Sequence, residues 1–167
     1  MRSWGVPLVV AAVLCLAAPQ AARAQAAKPP AGRWSLICPS FTQGVANTCR
    51  VTQRVLLKKT KALLMSASVR AFGRGKPPAL VLHLPHGLYL PAGVALAIDG
   101  TAFKKLQYQT CTRRGCFAST KLDAAALARL KTGNTLRVVM KNLRRKDIKV
   151  TLSLVGFSGA YGKMIAN

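Results

Sequence analysis

Residues 80–119 read LVLHLPHGLYLPAGVALAIDGTAFKKLQYQTCTRRGCFAS, and this stretch decides the fold. Leu80, Leu82 and Leu84 share one face of an extended chain. Val94, Leu96 and Ile98 do the same against Ala95, Ala97 and Asp99. A period of two with large apolar groups on one side marks a half-buried strand. Pro85-His86-Gly87 and Pro91-Ala92-Gly93 carry turn chemistry, and Asp99-Gly100 is a strong hairpin signal because both positions tolerate positive φ. Residues 103–110 are expected to return as one strand, with Leu106 and Tyr108 on one face. A turn flanked by Cys111 and Cys116 and a strand over 116–120 follow.

Towards the N-terminus, Trp34, Leu36 and Cys38 alternate in the same way. Cys49, Val51, Gln53, Val55 and Leu57 then oppose Arg50, Thr52, Arg54 and Leu56, so one face of that strand is basic and solvated. The basic turn Lys58-Lys59-Thr60-Lys61 leads into 63–70, where Leu63, Met65, Ala67 and Val69 share a face, and the two runs predict a hairpin. Residues 72–78, FGRGKPP, form a loop, since the glycines are permissive and the prolines lack the donor that a ladder needs. Towards the C-terminus a single short helix is expected at about 124–131. Asp123 is its N-cap, Leu127 and Leu130 share one side, and Gly133 ends it. Strands follow with Leu136, Val138 and Met140 on one face and, past a basic loop at 142–147, Ile148, Val150, Leu152 and Leu154. Short strands, frequent turns and one helix predict a mainly β, single-domain antiparallel β-sandwich or barrel-like fold. No internal repeat is present.

The first 24 residues have the layout of a secretory signal peptide: Arg2, a short apolar run over 8–18, and Ala22-Arg23-Ala24 as a small-x-small cleavage site. The run is too short for a transmembrane anchor, which needs about 20 apolar residues. Leu14 is too bulky for a lipobox ahead of Cys15. Residues 25–31 then read as a flexible N-terminal arm and 32–167 as the domain. The chain has 26 Lys and Arg against three Asp and no Glu. Loss of Arg2 and Arg23 lowers the formal charge from +23 to +21. In an exported chain the four remaining cysteines, Cys38, Cys49, Cys111 and Cys116, read as a disulfide framework. Three connectivities are possible; Cys38 with Cys49 and Cys111 with Cys116 is preferred, because each pair flanks a turn-like segment. Neither pair has the CxxC spacing of a zinc site or a thioredoxin-type dithiol.

Across this framework the chain resembles the invasion-associated locus B family of exported bacterial proteins. The resemblance rests on Trp34 close ahead of Cys38 and Cys49 and on Leu84-Pro85-x-Gly87-x-x-Leu90-x-x-Gly93, followed by Ile98-Asp99. Cys111-x-x-x-Gly115-Cys116-x-Ala118 and Ser153-Leu154-x-Gly156-Phe157 with Ala160 complete it. It implies an exported, periplasmic, β-rich domain with two disulfides, linked in some members to entry into host cells. Secretion or outer-membrane association is the alternative location. The family supplies no catalytic residues to carry over.

The residues themselves give little chemistry beyond charge. His83 and His86 form HxxH, but residues three apart on a strand face opposite ways and no third ligand is evident, so no metal or other cofactor is expected. Asp99, Asp123 and Asp147 each have a local explanation, as turn residue, helix cap and charge in a basic loop. Ser66 or Ser119 with His83 lacks the G-x-S-x-G elbow of a hydrolase. The chain therefore reads as non-catalytic, with an exported enzyme or thiol-disulfide exchange factor as the alternative. The basic clusters carry the functional expectation: Lys58, Lys59 and Lys61; Arg70, Arg74 and Lys76; Arg113 and Arg114; and Lys141, Arg144, Arg145, Lys146 and Lys149. Such clusters attract anionic partners, here lipopolysaccharide, anionic lipid or an acidic glycan. Background charge is the competing explanation. Nucleic acid fits less well, because export removes the chain from it and aromatic stacking residues are few.

Overall fold

The computed structural model describes residues 34–38, 49–72 and 75–166. The signal-peptide and arm expectations, Arg74 and the 39–48 turn lie outside them. Among the described residues ten strands form two antiparallel sheets. Strands β1 (Ser35–Ile37), β2 (Arg50–Leu56), β3 (Leu63–Arg70), β4 (Ala79–Leu84), β7 (Tyr108–Thr112) and β8 (Gly115–Lys121) make a six-stranded sheet in the order β1-β2-β3-β4-β8-β7. Strands β5 (Val94–Ile98), β6 (Thr101–Leu106), β9 (Thr135–Lys141) and β10 (Asp147–Ser153) make a four-stranded sheet in the order β10-β9-β5-β6. The inner faces carry the alternating apolar positions. Val51, Met65, Val69, Leu80 and Leu82 from one sheet and Val94, Leu136, Val138, Met140 and Leu152 from the other are buried in one core. Of the two expected arrangements, sandwich and barrel, this is the sandwich.

Three expectations need correction. Residues 103–110 are two strands rather than one: β6 ends at Leu106 in the four-stranded sheet and β7 begins at Tyr108 in the other. The chain crosses between layers at Gln107. Leu57, expected on the inner face, is exposed, because the β2–β3 register slips between Val55 and Leu56 and the strand ends there. The third correction is a second helix. Besides α1 (Ala124–Thr132), the chain forms α2 (Phe157–Ala166), with Phe157, Tyr161 and Met164 buried at helical spacing. Its two glycines make the segment a poor helix former, so packing rather than propensity sustains it. The Phe157 ring meets Trp34 edge-on at 4.9 Å, and Trp34 Nε1 donates to the Ser153 carbonyl at 2.9 Å. Trp34 and the 153–157 motif thus meet from opposite ends of the chain.

Helix α1 behaves as its cap predicts: Asp123 Oδ1 accepts from the Ala126 amide at 2.7 Å. Gly133 ends it, as expected, but not through a left-handed conformation. Its φ is −71°, and a Cβ there would lie 2.6 Å from Ile98 Cγ2 and 2.9 Å from the Arg129 carbonyl. Space, not backbone freedom, selects glycine.

Candidate functional site

The β2–β3 and β7–β8 turns project from the same end of the six-stranded sheet. Arg54 pairs with Ser66, Ser66 with His83, His83 with Phe117, and Leu84 with Cys116. Beyond this level lie Lys58, Lys59 and Lys61 on one hairpin and Arg113 and Arg114 on the other, all exposed. The preferred cysteine pairing is the one present. Cys38–Cys49 joins the start of β2 to the end of β1, and Cys111–Cys116 closes the hairpin that presents Arg113 and Arg114. Gly115 lets that hairpin lie against β4. Its φ is 136°, and a Cβ would run into the Leu84 carbonyl and His83 Nε2.

The segment after β4 ties this end to the other sheet. His86 Nε2 donates to the Thr112 carbonyl at 2.7 Å, Leu88 bridges Asn142, and the Tyr89 amide donates to the Lys141 carbonyl at 2.8 Å. The β9–β10 turn, with Arg144, Arg145 and Lys146, is thereby held beside the β7–β8 turn. Asn142 Oδ1 accepts from the Arg144 and Lys146 amides at 2.9 and 3.0 Å, and the Arg145 guanidinium lies 5.0 Å from the Tyr89 ring centroid. Basic clusters far apart in sequence therefore share one end. Exposed apolar side chains stand among them: Leu56, Leu57, Leu90, and Leu143 at 71 % exposure between Asn142 and Arg144.

Two cations of this cluster lie on the strands rather than in the turn. Lys141 closes β9 and is paired with Asp147 at 2.7 Å, while Lys149 lies within β10 opposite Val139. The Lys141 ammonium, bonded to Asp147 and acting on it through space, holds that carboxyl below its usual range. The other acids lie towards the opposite end. Asp123 caps α1 and faces Lys104 at 3.5 Å, and its carboxyl is lowered chiefly by the Ala126 amide. Asp99 accepts from the Asn134 and Thr135 amides and the Thr135 hydroxyl, and the Asn134 amide is the first cause of its lowered pKa. With three side-chain carboxylates in the chain, each has a structural task.

His83 and His86 each place Nε2 on a carbonyl, of Arg114 at 2.6 Å and of Thr112 at 2.7 Å. A carbonyl only accepts, so Nε2 carries the proton in both. Ser66 stands directly across from His83, yet that ring is committed to Arg114, and Ser119 donates to Gln109 at 2.8 Å. Among the described residues no group of three potential metal ligands gathers.

A further basic cluster was only half legible in the sequence. Arg50, Thr52 and Arg54 show there as one solvated strand face; the register sets Arg70, Ser68 and Ser66 directly opposite them. A depression of about 290 Å³ lies between, on the outer face of the six-stranded sheet.

Residues 34–164 match the family model described as Invasion associated locus B (IalB) protein. Two Invasion protein B homologs, from Brucella abortus strain 2308 and B. abortus biovar 1 strain 9-941, are each 31 % identical over 134 residues, covering 80 % of this chain and 76 % of theirs. The crystal structure of invasion associated protein b from Bartonella henselae shares the fold, with a TM-score of 0.71 at 24 % identity over 81 % of this chain and 92 % of that one. The chain belongs to the invasion-associated locus B family.

Proposed function

We propose that this protein is an exported, non-catalytic envelope protein that engages its partner at an anionic surface through the basic end of the sandwich. The gathering of the β2–β3, β7–β8 and β9–β10 turns at one end carries this reading. The signal-peptide pattern and the two disulfides support export, to the periplasm in this reading, with secretion or outer-membrane association as the alternative. The relatives' names tie them to invasion, and support of host-cell interaction is the role inferred for this chain. Arg113, Arg114, Arg144, Arg145 and Lys146 supply the field, and Leu143 adds an apolar tip that can enter a lipid headgroup layer. Each Lys or Arg near an anionic bilayer is worth about 1 kcal/mol, so several acting together are enough for docking. The cysteines favour a structural over a redox role, since all four are joined in the two bonds.

The test is co-sedimentation with vesicles containing anionic lipid or lipopolysaccharide. Binding at low salt is expected to disappear at about 0.5 M salt, where the Debye length is roughly 4 Å. The R113E/R114E/R144E/R145E variant is expected to lose binding while folding normally. Retention that is indifferent to salt and to these reversals overturns the reading.

A further inference from the structure

The outer face of the six-stranded sheet holds a cationic groove that the basic turns do not include. Arg50 and Arg70 are direct cross-strand partners, so two guanidiniums stand side by side where like charges destabilise a sheet. Arg54 lies on the same face, four residues along β2 from Arg50. Among the described residues none of the three has a carboxylate partner, and Asp99, Asp123 and Asp147 are engaged elsewhere. Such a cluster is relieved by an anion from outside the chain.

The centre of the groove is built differently from its rim. Thr52, Ser66 and Ser68 place short hydroxyl side chains between the long arginines, and Leu63, Val81 and Phe117 add apolar surface to the lining. The Thr52 and Ser68 hydroxyls lie 2.9 Å apart. One proton is shared in that contact, leaving the second hydroxyl free to donate outward. His83, stacked on Phe117 at 4.8 Å, forms part of the wall, and its ring is fixed by the Arg114 carbonyl. A second depression of about 370 Å³ shares Ile37, Thr52 and Arg54 and adds Ser35, so the groove continues onto β1. This volume is at the lower end for ligand sites, which span about 300–1,000 Å³, and suits one or two rings rather than a long polymer.

We propose that this groove binds an acidic saccharide, with Arg50, Arg54 and Arg70 on its carboxylate or phosphate and the Thr52, Ser66 and Ser68 hydroxyls on its ring oxygens. Arginine forks match either oxyanion, and a floor that both donates and accepts matches sugar hydroxyls. An apolar partner would leave the guanidiniums and hydroxyls of this groove without partners.

Titration calorimetry on the oxidised protein recovered after export tests this, using glucuronate, a hexose phosphate, inorganic phosphate and glucose as probes. At least one acidic sugar is expected to bind about tenfold or more tightly than both inorganic phosphate and glucose, and R54Q and R70Q are each expected to weaken it by about tenfold. R144E/R145E is expected to leave this binding unchanged, which separates the groove from the basic end. R70Q removes one of two facing guanidiniums, so its melting temperature is expected to match or exceed the parent's. Lost binding is thereby distinguished from lost fold. Equal affinity for inorganic phosphate and the acidic sugars, no binding of either acidic sugar, or insensitivity to both R54Q and R70Q overturns the proposal.

Discussion

At Asp99 the backbone sits at φ 48°, and Gly100 follows at 85°, the pair of left-handed residues that a tight hairpin requires. The same carboxylate reaches the start of β9, accepting from the Thr135 amide at 2.8 Å and the Asn134 amide at 3.0 Å. Asp99→Ala removes the acceptor and fits the left-handed position less well, at an expected cost of about 1–2 kcal/mol in chemical denaturation. Asp99→Asn keeps the backbone preference and loses the charge. Because folding lowers the pKa of Asp99, the charge contributes above the ordinary carboxylate range, and its contribution fades as pH falls through the folded value. The stability gap between parent and Asp99→Asn is therefore expected at neutral pH and to close below about pH 4. A gap of constant size across that range would show that charge plays no part. The turn role of Asp99 was readable from Asp-Gly; its bonds to residues 35 and 36 positions away were not.

Helix α2 is the element whose existence depends most on its surroundings. Phe157 has no exposed surface and touches both Trp34 and Tyr161. Phe157→Ala is expected to cost about 3–5 kcal/mol, measured by denaturant unfolding, and to loosen α2 from β1 and β2. Gly159 and Gly162 sit on its exposed side with nothing within 4 Å of an added Cβ and no positive φ. Alanine at either position is expected to stabilise by up to about 1 kcal/mol, since only helix propensity changes. A loss of stability there would mean that this face is covered by something else. The helix went unread because its local composition opposes helix, and burial of three apolar groups outweighs that preference. The strand break at Gln107 leaves no such signal: Leu106 and Tyr108 keep the period of two across it, and alternation does not say which sheet a strand joins.

For the molecule as a whole, the decisive property is how charge is distributed. Asp147 is neutralised locally by Lys141, while Asp99 and Asp123 work towards the far end, so the basic end keeps an excess of uncompensated cations. Salt is expected to weaken vesicle binding steeply and to raise the unfolding midpoint, because screening acts on exposed charge and relieves both the attraction to the vesicle and the repulsion among this chain's own cations. Groove binding and surface binding are expected to respond to different substitutions, which makes the two proposals separable in one set of variants.

By itself the sequence determined most of the strands and their buried faces, the hairpin at Asp99-Gly100 and the capped helix α1. These are local properties, set by side-chain period, turn chemistry and short loops. Only the tertiary structure decided the two sheet orders, the crossing at Gln107, the second helix and which cations stand together. Those depend on register between segments distant in the chain, and register is chosen by the summed packing of whole faces, which no single stretch contains. Residues 80–119 thus mark which runs are extended and which face they bury, while the break at Gln107 and the register that sets Arg50 opposite Arg70 are decided by the packing of the whole molecule.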